Sequence, residues 1–213
     1  LGITSPLKLE IVEKGLPLIP DQDKISDLNL VTMSYGYGYA ITPAHFVQSM
    51  IPIVNGGVFK PLTLLKVDSN SQQEKESKEI LNIQTSVNML KLMRLAVEKG
   101  TAKKGAVKGY LVGGKTGTAE KLGPHGYMHD HRYSSFVSVM PCINPKYLVF
   151  ILLDDPKGIK ETFGFATAGF TAAPAASKIL ERIGSLYGIP PIDEASQEIK
   201  DMMHVDYDVN GEI

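Results

Sequence analysis

One cysteine, Cys142, is all that the 213-residue chain has, so no intrachain disulfide can staple it and thiol usage does not mark its redox compartment. An apolar run long enough to span a bilayer is missing as well. The longest unbroken one, Tyr147–Leu153, falls far short of the roughly 20 residues that a spanning helix needs. Charge of one sign is also scarce: Lys and Arg total 22 against 23 Asp and Glu, which removes the basic footprint of a nucleic-acid binder. No internal repeat appears. With 43% hydrophobic and 21% charged residues, the chain is neither disordered nor fibrous, and its length suits one domain, or one plus a small lobe. It opens with Leu1 and shows no basic, apolar, small-residue leader, which predicts a piece of a longer polypeptide.

The charge balance hides an asymmetry. Residues 193 to 213 carry seven acids and one base, a net of −6, which leaves the body before them at +5. Residues 1 to 30 mix Pro, Gly and scattered aliphatics without period and read as extended loop. Thr42-Pro43 then offers an N-cap hydroxyl and a proline at the first helical position. Phe46, Val47, Met50, Ile51 and Val54 follow at helical spacing. This predicts a helix over 43 to 55, kinked at Pro52 and stopped by Asn55-Gly56-Gly57. Residues 67 to 79 read as an exposed polar loop. A second helix should run from Thr85 to Gly100, with Val87, Leu90, Met93, Leu95 and Val97 on its apolar side. Tyr110–Ala119, Ser134–Met140 and Lys146–Leu153 read as strands, the last two joined as an antiparallel hairpin. Ala-rich Gly164–Gly184 reads as a helix laid on that sheet. The chain after Pro190-Pro191 is an acidic tail, either a surface helix or disordered.

The most unusual string is Gly113-Gly114-Lys115-Thr116-Gly117-Thr118-Ala119, and two mechanisms could require it. From Gly109 to Thr116 it spells G-x-x-x-x-G-K-[ST], a phosphate loop, and Val149–Asp154 imitates the apolar strand that ends in a magnesium-binding Asp. That loop needs a strand before it and a long helix after its Thr. Here a polar turn precedes it, β-formers fill it, and Gly123-Pro124 breaks any helix that could follow. The other reading is K-T-G on a strand, an element of serine acyl-transfer enzymes acting on penicillins and D-Ala-D-Ala peptides.

Further strings accompany K-T-G in order: Met33–Gly38, Ile41-Thr42-Pro43-Ala44, Asn55-Gly56-Gly57, Gly100-Thr101-Ala102, Ser135-Phe136 and Ala172-Ala173-Pro174. Together they resemble the C-terminal half of a class B penicillin-binding protein, most of all the division-type peptidoglycan transpeptidases, over about residues 1 to 188. The tail from 189 to 213 lies outside the resemblance. The implied fold is α/β, an antiparallel sheet flanked by helices, of the penicillin-binding transpeptidase and serine β-lactamase type. The implied activity is D,D-transpeptidation of peptidoglycan stem peptides, with β-lactams as inhibitors and no cofactor. The implied setting is the periplasmic face of the bacterial inner membrane, with an upstream anchor and division or elongation membrane proteins as partners.

The resemblance also implies roles. Lys115 would face the cleft that holds the nucleophile, and the Thr118 amide would donate to the oxyanion. Thr116 and Thr118, on one face by the period of two, would hold the substrate carboxylate. Gly117 would let substrate backbone approach. The family's S-x-x-K and S-x-N motifs should lie before Leu1. Ser5-Pro6-Leu7-Lys8 and Ser86-Val87-Asn88 have those spellings by coincidence, outside the places the family gives them. A non-catalytic binding module on the same scaffold is the remaining alternative. His125, His129, Asp130 and His131 have metal-like composition, but Gly and Pro around them favour a polar loop between two strands, without metal. Tyr133 and Phe136 are either a groove wall or packing. Tyr35, Tyr37 and Tyr39 read as a turn anchoring the following helix.

Overall fold

The computed structural model describes residues 1–67 and 77–206. They fall into two compact units, Leu1–Ser86 and Val87 onward. Most of the expected polar loop at 67 to 79, and the end of the acidic tail from 207, lie outside the described residues.

In the first unit, α1 (Asp27–Ser34) falls partly where the sequence reads as loop. Ser26 caps it: its hydroxyl accepts the Asn29 amide, while the Asn29 side chain accepts the Ser26 amide. None of its residues is buried, so no apolar period exists to reveal it; the cap is its only local signature. Helix α2 (Pro43–Val54) forms as expected, with Thr42 accepting the His45 amide and Pro52 inside the run. His45 is buried, its ring nitrogens against Thr42 Oγ1 at 2.7 Å and the Ser5 carbonyl at 3.2 Å. Strands β1 (Val58–Phe59) and β2 (Lys78–Glu79) pair antiparallel. Helix α3 (Ile83–Glu98) begins here. Ser86, of the chance S-x-N spelling, is buried and donates to the Ile53 carbonyl at 2.7 Å while accepting the Gly56 amide at 3.0 Å. It ties the first turn of α3 to the end of α2.

The second unit is built on β3 (Gly113–Gly123), β4 (Gly126–Met140) and β5 (Tyr147–Asp154), antiparallel in the order β3-β4-β5. Helix α4 (Ala172–Leu186) covers one face. It starts later than the Ala-rich run suggests, because turns occupy residues 164 to 171. Its Ala172, Ala173 and Ala176 pack on Phe136, with Ile151 and Leu153 alongside, and Leu180 packs with Val112 and Met140. Small residues on the helix admit the large ring from the sheet, which is how a dense core fills without voids.

Residues beyond Pro190 are joined to this unit. Arg94, 6% exposed, donates to Glu98 at 2.8 Å, to the Val112 carbonyl at 3.0 Å and to Glu194 at 2.7 Å. The other Glu194 oxygen accepts the amides of Gly109 and Leu111 at 2.7 and 3.3 Å. A guanidinium this buried persists only with its donors met. The network also holds the turn that feeds β3, in which Leu111 takes a positive φ of 45°. Beyond it lies α5 (Gln197–Met203), capped by Ser196. Burial pushes the Cys142 thiol up to about 12, which makes it a packing residue.

Candidate active site

The K-T-G string lies on β3, an edge strand of the three-stranded sheet. Alternate amides and carbonyls of an edge strand face away from its neighbour, so an extended peptide can add to it. The register pairs Lys115 with Val137, Thr116 with Phe136, Gly117 with Ser135 and Thr118 with Ser134. Thr116 and Thr118 therefore share the face of Phe136 and α4, and Lys115 and Gly117 take the opposite face, as strand alternation requires.

Lys115 is exposed and its Nζ donates to the Thr116 carbonyl at 2.8 Å. Thr116 Oγ1 lies 2.6 Å from Thr101 Oγ1, and Thr118 Oγ1 accepts the Ala168 amide at 3.1 Å. Gly117 has a neighbour of its own: Ser135 Oγ donates to its carbonyl at 3.3 Å, and a Cβ on Gly117 would stand 2.7 Å from that oxygen. The glycine before the lysine has an equally local cause. A Cβ on Gly114 would come within 2.5 Å of the Phe136 ring and 2.6 Å of the Val137 carbonyl. Phe136, fully buried, is thus packing under the motif and no groove wall.

The nucleotide-loop alternative finds no geometry here. Residues 113 to 116 are paired in a ladder with β4, and the strand continues past Thr116. Asp154, which imitated the magnesium ligand, is instead paired with Lys121 at 2.6 Å.

The histidine segment differs from the expected loop. β3 and β4 extend to a tight turn in which Gly123 pairs with Gly126, with an irregularity between Glu120 and Lys121, so His129 and His131 sit on β4. Each meets a carboxylate: His129 Nδ1 with Glu120 at 2.9 Å, His131 Nδ1 with Asp155 at 2.8 Å. The Glu120 hydrogen bond raises the His129 pKa, and the Asp154 hydrogen bond raises that of Lys121. Lys121 also lies 5.0 Å from the centre of the Tyr133 ring. Among the described residues no three His, Cys, Asp or Glu side chains gather as a metal-ligand group.

Sequence reasoning missed three contributors to the motif's surroundings: the Thr101 hydroxyl, the Ala168 amide and Ser134, whose Oγ donates to the Ala166 carbonyl at 2.7 Å. Their contacts span between 15 and 50 residues of chain. No local pattern announces these contacts, although Thr101 lies in the Gly100-Thr101-Ala102 string.

An antiparallel sheet presenting K-T-G on its edge strand, with helix α4 over the face that Thr116 and Thr118 share, has the α/β architecture of the penicillin-binding transpeptidase class. The penicillin binding protein transpeptidase domain matches residues 11–181, and the chain belongs to that family. It is similar to a probable peptidoglycan D,D-transpeptidase FtsI of Caulobacter vibrioides, 41% identical over 201 residues, which cover 89% of this chain and 33% of the relative. The peptidoglycan D,D-transpeptidase FtsI of Escherichia coli K12 is 28% identical over 190 residues, covering 89% of this chain and 31% of its own length. The chain thus spans about a third of these relatives. Among solved structures it superimposes on the TP domain of penicillin-binding protein 3 from Burkholderia pseudomallei with a TM-score of 0.76 and 26% identity, covering 89% of this chain and 55% of that one.

Proposed function

We propose that the full-length protein is a peptidoglycan D,D-transpeptidase that cross-links D-Ala-D-Ala stem peptides by serine acyl transfer and is acylated by β-lactams. What supports this most is K-T-G on an exposed sheet edge, with both threonine hydroxyls held in place, in a chain of the penicillin-binding family. The nucleophile and its base come from outside these 213 residues. Within them, Lys115 supplies positive charge on the face opposite the threonines, where it favours a deprotonated nucleophile and offers hydrogen bonds to it. The Thr118 amide donates to the oxyanion as the tetrahedral intermediate forms, and a donor fixed on a strand costs no reorganisation at that moment. Thr116 and Thr118 receive the substrate carboxylate. Gly117 keeps the strand low enough for substrate backbone to lie against it. The reaction needs no cofactor.

The location that goes with this reading is the periplasmic face of the inner membrane, with membrane proteins of division or elongation as partners. No helix among the described residues is long and apolar enough to cross a membrane, so anchoring would belong to another part of the protein.

Labelling with a fluorescent penicillin tests the proposal. The full-length protein should be acylated and the 213-residue chain alone should not, because nucleophile, base and oxyanion donor must be held together. Lys115→Ala and Thr118→Pro should each slow acylation about tenfold or more, the second by deleting the amide. An unlabelled full-length protein would favour a binding module that kept the scaffold.

A further inference from the structure

The hydroxyls of Thr116, in K-T-G, and of Thr118, just after it, are already engaged by protein groups. Thr118 Oγ1 accepts the Ala168 amide, and accepting that bond leaves the hydroxyl's own proton to donate. Thr116 differs, because its partner is another hydroxyl, Thr101 Oγ1, at 2.6 Å. Two hydroxyls at that distance share one proton in one bond, and either can be the donor. If Thr116 donated to Thr101, it would turn lone pairs toward an arriving anion. If Thr101 donates to Thr116, the Thr116 proton remains for the anion. A carboxylate, which only accepts, selects the second polarity, and a donor that itself accepts a bond is polarised and strengthened.

The surroundings hold Thr101 at this spot. A Cβ on Gly169 would stand 2.6 Å from the Thr101 carbonyl, and the flanking Ala102 and Ala168 are fully buried. The Ala166 carbonyl is bonded in turn by Ser134, which pairs with Thr118 across the strands. One segment, residues 166 to 169, therefore braces Thr101 at one end and Thr118 at the other.

We propose that Thr101 is a positioning residue for carboxylate recognition: its hydroxyl donates to Thr116 Oγ1 and aims the Thr116 proton at the carboxylate of the substrate or β-lactam. This rests on the transpeptidase reading of the same site. Thr101 does not touch the ligand; it acts through Thr116.

The test uses the full-length protein with benzylpenicillin, reading the pre-acylation dissociation constant and the limiting acylation rate from the concentration dependence, together with the melting temperature. Thr101→Val keeps the shape and deletes the hydroxyl. It should weaken the dissociation constant about five- to tenfold, as expected for loss of one bond in a charge-assisted chain, and leave the limiting rate and melting temperature in place. Thr101→Ser restores the hydroxyl and should return affinity to within about twofold. Unchanged affinity in Thr101→Val, or no rescue by Thr101→Ser, overturns the proposal. So does a fall in limiting rate and melting temperature without a change in affinity, which would mean that Thr101 only stitches the fold. A wild-type protein that is never acylated overturns the transpeptidase reading and takes this proposal with it, whereas an acylated wild type and an indifferent Thr101→Val overturn this proposal alone.

Discussion

Asp155 shows how much a single side chain at the end of β5 has to reconcile. It takes a positive φ of 53°, and its Oδ2 accepts from Lys157 at 3.0 Å and meets His131 Nδ1 at 2.8 Å. Its Oδ1 is buried with no hydrogen-bond partner among the described residues. The Lys157 hydrogen bond first, and that of His131 after it, lower the carboxyl from 3.8 to about 2 against the opposing effect of burial. A carboxyl whose pKa is lower in the folded state stabilises the fold above its unfolded value and loses that contribution as pH falls through the folded value. The pH window is therefore from 3.8 down to about 2. Melting temperature should drop across this window in the wild type, and Asp155→Asn should flatten that part of the profile. An unaltered slope in the variant would mean that the contacts of Asp155 contribute nothing to the fold's acid sensitivity.

At the scale of elements, the motif's glycine is explained by the strand beside it. Gly114 has to be bare because Phe136 fills the space where its side chain would go. Gly114→Ala should destabilise the protein by about 1–3 kcal/mol, the usual cost of overpacking a dense core. Phe136→Leu in the same chain should recover part of the loss, since residues in contact couple. Denaturant midpoints of the two single variants and the double variant measure this, and simple additivity would refute the steric account. Legibility in the sequence followed the same division between local and distant causes. Helix α2 was readable from Thr42-Pro43 and its apolar spacing, and the cores of β3, β4 and β5 from runs of β-formers. The outer hairpin was not readable, because residues 120 to 133 carry polar groups on both faces and show no alternation. What holds them is cross-strand pairing, such as Glu120 with His129 and Lys121 with Asp154. Lys115, Thr116, Gly117 and Thr118 could be picked out from the string itself, whereas Thr101, Ser134 and Ala168 depend on folding to meet it. Glu194 reads as one more acid of the tail until Arg94 and two amides are found on it.

For the whole molecule, the consequence of the three-stranded sheet lies at its other edge. β5 pairs with β4 on one side, and the order β3-β4-β5 leaves its second side without a strand among the described residues. Leu148 and Phe150 are half-buried and Leu152 is 43% exposed, and alternation places these three on one face. An edge strand that carries an exposed apolar side chain such as Leu152 is a template for another chain. The 213-residue chain by itself should therefore self-associate with rising concentration, seen as an increasing mass in light scattering after gel filtration. Leu152→Lys should shift it toward monomer, since a charge on an edge strand opposes pairing while costing little where the side chain is already exposed. In the full-length protein the same substitution tests what covers β5. If another segment pairs there, Leu152→Lys should lower its melting temperature more than that of the isolated chain. A chain that stays monomeric at high concentration, with Leu152→Lys neutral in both contexts, would show that the β5 edge needs no partner.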